Sequence, residues 1–281
     1  MLIFYKKAKL AEHINKNLKN RIIGFVPTMG ALHNGHLSLI LDAVKQNDVV
    51  IVSIFVNPTQ FNNIDDLKKY PRNLEKDIKL IEQFNKEIII YSPEVEDVYD
   101  KGQKSEKFNF DGLENQMEGK FRPGHFDGVA TVVKFFFELI KPKNAYFGEK
   151  DFQQLQIIKT LVKKYNIPVK IVACPVFREK NGLAMSSRNE RLSIENRQKA
   201  GIIYQILLQS KKQFGTKSAE EVTTWVENEF KKYPEFELEY FQIADEEKLK
   251  PCIRKLKNKK YRAFIAVFLD NVRLIDTISL N

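Results

Sequence analysis

The sequence predicts a doubly wound α/β domain followed by a smaller α+β domain, and three observations support that reading. Short, almost unbroken apolar runs alternate with helical patterns up to about Phe177. One of these runs passes through a turn into a His-x-Gly-His step that opens a helix. Beyond Arg178 the alternation stops, and helices precede strand-like segments.

The first run, Ile22 to Val26, has the short apolar character of a buried strand, and Leu37, Ile40, Leu41 and Val44 repeat on one face of the helix that follows. Further strand-like runs cover Val49 to Val56, Glu87 to Tyr91, Asn144 to Phe147 and Val169 to Phe177. Tyr70-Pro71-Arg72 interrupts the second helical stretch, where Leu74, Ile78, Ile81 and Phe84 form the clearest helical face. Ser92 to Phe110 is polar and irregular and reads as a long surface loop or small excursion without chemistry. Nearly continuous apolar strands separated by helices argue for a parallel sheet covered on both faces. After Arg178, Ser193 reads as the N-cap of a helix through about Phe214. Ser218-Ala219-Glu220-Glu221 is a capping box for another helix, which Pro234 closes. Glu237 to Ile243 and Ala263 to Leu269 then alternate as strands. The expected domains are 1–177 and 178–281.

With 281 residues, 43% of them hydrophobic and 29% charged, the chain has the composition of an ordinary globular protein and not a disordered one. Its N-terminus meets Lys6 and Lys7 too soon for a secretory segment, and no apolar run reaches membrane-spanning length, so a cytoplasmic location without membrane partners is expected. Cys174 and Cys252 lie far apart and form no Cys-x-x-Cys pair, which argues against a disulfide framework. The net charge of +10 suits anionic substrates and would also suit nucleic acid. The densest basic run, Arg254 to Arg262, has little aromatic interleaving and reads as a solvated loop.

A His-x-Gly-His step at a helix start aims ring nitrogens and unpaired N–H groups at one point, with the positive end of the helix dipole behind them. His33 and His36 would thus receive a phosphate. They could instead ligate a metal, but a catalytic zinc needs a third ligand and only His13 and His125 remain as histidines; no metal site is expected. Alternatively, Gly30 and Gly35 merely permit a tight turn beside space-filling rings. Three more unusual segments follow other strands: Asn57-Pro58-Thr59-Gln60-Phe61, Gly148-Glu149-Lys150-Asp151 and Met185-Ser186-Ser187-Arg188-Asn189. In an open parallel sheet, ligands bind outside the carboxyl ends of the strands, so all four segments would meet in one crevice. Lys150 and Arg188 supply fixed charge there, and the hydroxyls of Ser186 and Ser187 supply donors, a set suited to phosphoryl or nucleotidyl transfer. No P-loop, Gly-x-Gly-x-x-Gly or Gly-x-Ser-x-Gly pattern occurs.

His33-Asn34-Gly35-His36 and Met185 to Asn189 resemble the paired signatures of the nucleotidyltransferase superfamily. With Pro27-Thr28-Met29-Gly30, Ser53 to Phe61, Tyr70-Pro71-Arg72, Arg122-Pro123-Gly124-His125-Phe126, Gly148 to Gln154 and Leu274-Ile275-Asp276, the whole chain resembles the pantothenate synthetase family. Thr59 departs from the methionine that many members carry beside Gln60. The resemblance implies a Rossmann-like nucleotide domain with a C-terminal lid. It also implies ATP-dependent joining of pantoate to β-alanine through a pantoyl adenylate, releasing AMP and pyrophosphate. ATP would lie along Met29, Gly30, Ala31, Leu32, His33, Asn34, Gly35 and His36, along Gly148, Glu149, Lys150 and Asp151, beside Phe177, and along Met185, Ser186, Ser187 and Arg188. His33, His36, Lys150 and Arg188 would be catalytic, His36 at the helix start being the better placed for an acid role. Gln60 and Gln154 would hold pantoate and β-alanine, Mg2+ would ride on the ATP phosphates, and a homodimer is implied. Two rivals remain: a nucleic-acid-binding module, and a relative that leaves the nucleotide attached to a phosphorylated acceptor.

Overall fold

The computed structural model describes residues 1–84, 87–99, 102 and 104–281. Six parallel strands form the larger sheet: β1 (Leu2–Phe4), β2 (Ile23–Thr28), β3 (Val49–Ile54), β4 (Ile88–Tyr91), β5 (Asn144–Gly148) and β6 (Lys170–Cys174). Their spatial order is β1-β4-β3-β2-β5-β6. The five predicted strands are all present, and β1 adds an edge strand too short to carry a periodic signal. β6 stops at Cys174 rather than Phe177 because Pro175 has no N–H for the ladder.

Helices cover both faces of this sheet. The helix His125–Ile140 packs Phe136 against Phe25 at 5.5 Å, Phe55 at 6.3 Å and Tyr91 at 6.0 Å between ring centroids. Truncating Phe136 to alanine would cost about 3–5 kcal/mol. On the opposite face Val26, Val50, Val52 and Ile90 pack with Ile40 and Ile81 from the helices Asn34–Gln46 and Leu74–Glu82. The chain moves from β2 to β3 on one side and later returns to place β5 on the other. The strand order therefore reverses between β2 and β5, and the crevice outside their carboxyl ends is where a ligand site belongs.

The second sheet is antiparallel, β7 (Phe236–Asp245), β8 (Tyr261–Leu269) and β9 (Val272–Ser279), with β8 in the centre. β8 is buried along nearly its whole length instead of alternating, because helices cover it as well. The helix expected to run unbroken from Ser193 is two helices, Ile194–Lys199 and Ile202–Phe214. At the break the Asn181 carbonyl approaches so closely that a Cβ on Gly201 would lie 2.6 Å from it. Ser193 and Ser218 cap as expected. β9, expected only as a motif, completes this sheet. Within Ser92 to Phe110, residues 100, 101 and 103 lie outside the described residues. The described part is the small excursion of the two alternatives: it contains the helix Val95–Val98, and Tyr99 behind it is buried.

Partly buried ion pairs tie the second sheet to the segments around the first. Arg273 of β9 donates two 2.7 Å hydrogen bonds to Glu118, Arg262 of β8 reaches Glu149 at 3.2 Å, and Arg178 grips Asp276 of β9 at 2.6 and 3.0 Å.

Candidate active site

A cleft of about 230 Å³ opens at the β2/β5 reversal, and all four predicted segments contribute to its wall. Met29, His33, Gly35 and His36 come from the turn and helix after β2, Gln60 from the turn after β3, Gly148 from the end of β5, and Lys150, Asp151 and Gln154 from the segment after it. Phe177, Met185, Ser186, Ser187 and Arg188 follow β6. Gly30, Ala31, Leu32, Asn34 and Glu149 do not line it. Leu32 lies in the core, Asn34 is exposed and Glu149 receives Arg262.

The turn that delivers the histidines is strained and clamped. Gly30 and Ala31 have φ of 78° and 50°, a left-handed pair that costs the alanine about 1–2 kcal/mol. Asp77, buried on the helix Leu74–Glu82, accepts the Ala31 and Leu32 N–H groups at 3.0 and 2.7 Å. These two donors face an internal carboxylate, and so they are spent on holding the turn. Burial raises the Asp77 carboxyl pKa despite both hydrogen bonds.

His33 then caps the helix Asn34–Gln46. Its Nδ1 accepts the Gly35 N–H at 3.1 Å, and His36 Nδ1 accepts the His33 N–H at 3.3 Å. With both Nδ1 atoms accepting, hydrogen-bond geometry assigns the proton of each ring to Nε2. The rings lie 4.0 Å apart. Burial, with Lys150 second, lowers the His33 pKa to about 4; burial, then His33 and Lys150, holds His36 well below the usual histidine range. Both imidazoles are neutral donors. The acid role expected of His36 does not fit this geometry, since a neutral ring tied down at Nδ1 offers a hydrogen bond but no spare proton.

Across the cleft the Ser-Ser-Arg loop is pinned differently. Ser187 Oγ donates to the Ala31 carbonyl at 3.0 Å, tying this loop to the turn, while Ser186 Oγ accepts the Arg188 N–H at 3.3 Å. Arg188 donates to Asp66 at 2.6 Å, and Arg191 reaches the same carboxylate at 2.9 Å. Although burial opposes its charge, Asp66 raises the Arg188 pKa, so the guanidinium is charged and already occupied by an anion. Lys150 lies 3.6 Å from Asp151.

At the other end, Gln60 is buried, its Oε1 accepting from Asn57 at 3.1 Å and its Nε2 directed at the Met29 sulfur at 3.1 Å. A Cβ on Gly128 would lie 2.5 Å from the Thr59 carbonyl, so glycine is what lets the helix His125–Ile140 press against this turn. Thr59 does not line the cleft: its hydroxyl bonds Asn57 at 3.0 Å and Tyr99 at 2.9 Å. The segment read as free of chemistry thus buttresses the wall through Tyr99, which donates to Asn57 at 2.6 Å. Of the paired glutamines, Gln153 is spent on backbone partners near Glu118, while Gln154 faces the cleft.

Sequence reasoning leaves Asn57, Tyr70, Arg122 and His125 without roles, yet all four line the cleft. Each lies inside a motif that the sequence displays, and the motif is the available signal. Asp66 and Asp77 have none, since carboxylates in helical segments read as surface. No group of three or more His, Cys, Asp or Glu able to hold a metal occurs among the described residues.

The family model described as pantoate-beta-alanine ligase matches residues 2–279. The chain is 59% identical to the pantothenate synthetase of Flavobacterium psychrophilum over the whole of both chains. It is 43% identical to that of Aquifex aeolicus over 98% of each. Among solved structures, pantothenate synthetase from Thermus thermophilus superposes with a TM-score of 0.91 at 38% identity, covering 100% of this chain and 99% of that one. The pantoate-beta-alanine ligase of Francisella tularensis, solved with beta-gamma ATP and β-alanine, superposes at 0.83 with 40% identity, covering 100% and 98%. The family model over residues 2–279 and the 59% identity along the full length of both chains place the chain in the pantoate-β-alanine ligase family.

Proposed function

We propose that this cleft joins pantoate to β-alanine at the expense of ATP. The observation that carries the reading is that His33, His36, Lys150 and Arg188 share one cleft with Gln60 and Gln154. In the first step a pantoate carboxylate oxygen attacks the α-phosphorus, the bond to the bridging oxygen breaks, and pyrophosphate leaves with the electron pair. Lys150 and the Nε2–H groups of His33 and His36 hold oxygens on which charge redistributes, and Arg188 exchanges Asp66 for phosphate. Gln60 and Gln154 each offer donors and an acceptor, matching hydroxyls and a carboxylate oxygen together. In the second step the amine attacks the acyl carbon, the acyl C–O bond breaks, AMP departs, and the ammonium proton passes to water.

The backbone from Pro175 to Phe177 would lie beside the adenine. Gly30, Ala31, Leu32, Asn34 and Glu149 act by shaping the turns that carry the lining groups. Mg2+, held by the phosphates, would neutralise part of their charge; Asp151 is the carboxylate on the wall nearest Lys150. Residues 1–177 would bind nucleotide and pantoate, and residues 178–281 would close over the adenylate. We further place the enzyme in the cytoplasm as a homodimer on the route to coenzyme A, with no nucleic-acid partner; among the described residues no helix is long and apolar enough to cross a membrane. The test is product analysis with pantoate and β-alanine supplied separately and together. Pantoate alone should support exchange of labelled pyrophosphate into ATP, and AMP with the amide should need both. A strict β-alanine requirement for exchange would contradict a free adenylate.

A further inference from the structure

Arg122 is a charged group in the cleft for which the reaction above gives no use. It follows the short helix Met117–Phe121, its side chain is only 22% exposed, and it lines both the main cleft and a small adjoining cavity of about 30 Å³. Its guanidinium is aimed by neutral acceptors. One terminal N–H points to the Gln60 carbonyl at 3.3 Å and the other to His125 Nε2 at 3.3 Å. His125 Nδ1 donates to the same carbonyl at 2.8 Å, which leaves Nε2 free to accept. Burial, then Arg122, lowers the His125 pKa to about 3, so this ring is neutral too.

The compensating anion is weak. Glu118 lies 3.6 Å from Arg122, beyond hydrogen-bond distance, and its oxygens already receive two 2.7 Å bonds from Arg273 and a 2.8 Å bond from Tyr240. Nε and the remaining terminal protons of Arg122 have no hydrogen-bond partner among the described residues. A largely buried, pre-aimed and under-neutralised guanidinium on a cleft wall suits a carboxylate.

Two substrates carry one. The pantoate carboxylate is the nucleophile and must reach the α-phosphorus; a fork of charged donors would hold its oxygens back. The carboxylate of the amine substrate takes no part in bond making, so fixing it does not slow the chemistry. We infer that Arg122 binds the carboxylate of the incoming amino acid, with His125 and the Gln60 carbonyl as positioning groups, and so selects an amino acid over a plain amine. The inference rests on the proposed function of this cleft.

The experiment compares the parent with Arg122→Gln and Arg122→Lys in two assays, pyrophosphate exchange with pantoate alone and amide formation with β-alanine or its uncharged amide. Arg122→Gln should raise the KM for β-alanine about 10- to 100-fold, leave exchange within about twofold, and abolish the preference for β-alanine over β-alaninamide. Arg122→Lys, which keeps charge but loses the fork, should raise that KM about tenfold, and it decides the matter if the glutamine variant does not fold. Loss of exchange in step with amide formation would overturn the inference by placing Arg122 on pantoate or nucleotide, and an unchanged β-alanine KM would overturn it outright. Absence of exchange in the parent would instead overturn the proposed function.

Discussion

On the β2 side of the cleft the polar groups are neutral and tied to backbone, whereas on the β6 side the main group is charged and tied to another side chain. His33 and His36 spend Nδ1 on the turn, which Asp77 clamps, and keep Nε2–H for a ligand. Arg188 sits against Asp66, and in the proposed reaction it would release that carboxylate before taking a phosphate. One wall is organised in advance and needs no rearrangement; the other exchanges one anion for another. Under the proposed function, the contrast would divide the work between electrostatic preorganisation, which acts on the transition state, and nucleotide binding, which acts on both ground and transition states.

The largest effect should come from Lys150, which stands between the walls at the end of β5. Lys150→Ala should slow single-turnover adenylate formation by about two to three powers of ten, with thermal unfolding near the parent's. A parental rate in a folded variant would remove the phosphate role of Gly148 to Asp151. Asp77→Asn attacks the preorganised wall from behind. It should cost about 1–3 kcal/mol of stability, because two buried N–H groups lose a charged acceptor, and it should slow adenylate formation about tenfold or more as the strained turn relaxes. Calorimetry and rapid quench read the two effects separately.

Acid should act on the same wall. His33, His36 and His125 all titrate below the ordinary histidine value of 6.5, His33 near 4 and His125 near 3, so the unfolded chain takes up protons that the folded one refuses. Their contribution is complete above pH 6.5 and is lost as pH falls toward those values, by up to about 1.4 kcal/mol per pH unit for each histidine. Unfolding followed between neutrality and pH 4.5 should steepen accordingly, and a flat profile would contradict the neutral assignment. The smallest effect belongs to the exchanging wall. Asp66→Asn frees Arg188 and should lower the KM for ATP by about three- to tenfold without raising kcat; a rise in that KM would make Asp66 a partner of the nucleotide and not its rival.

The large sheet is legible because β2 to β5 are buried along most of their length and read as apolar runs, while the fifth run, β6, is a half-exposed edge strand. β1, with three residues, and β9, whose residues stand out only as a motif, give no such signal. The site is legible where chemistry concentrates in rare patterns, as at His33 to His36 and Met185 to Arg188. It is not legible where common residues act through distant partners. Asp77 reaches a turn 45 positions away, and the two roles of Gln153 and Gln154 depend on which one the short segment before Arg122 engages. Thr59, read from the sequence as a departure from the resemblance, faces Asn57 and Tyr99 instead of the cleft.

The neutral-donor account is tested most directly at His36. Glutamine at the third helical position can accept the His33 N–H through Oε1, as in a capping box, and present an N–H where Nε2 stood. It cannot supply a proton. Single-turnover adenylate formation by His36→Gln, measured from about pH 6 to 9, should stay within about tenfold of the parent and should not vary with pH, while His36→Ala loses about two powers of ten. A folded His36→Gln protein as slow as His36→Ala, beside a parent whose rate falls on an alkaline limb, would show that the imidazole donates a proton and would contradict the account.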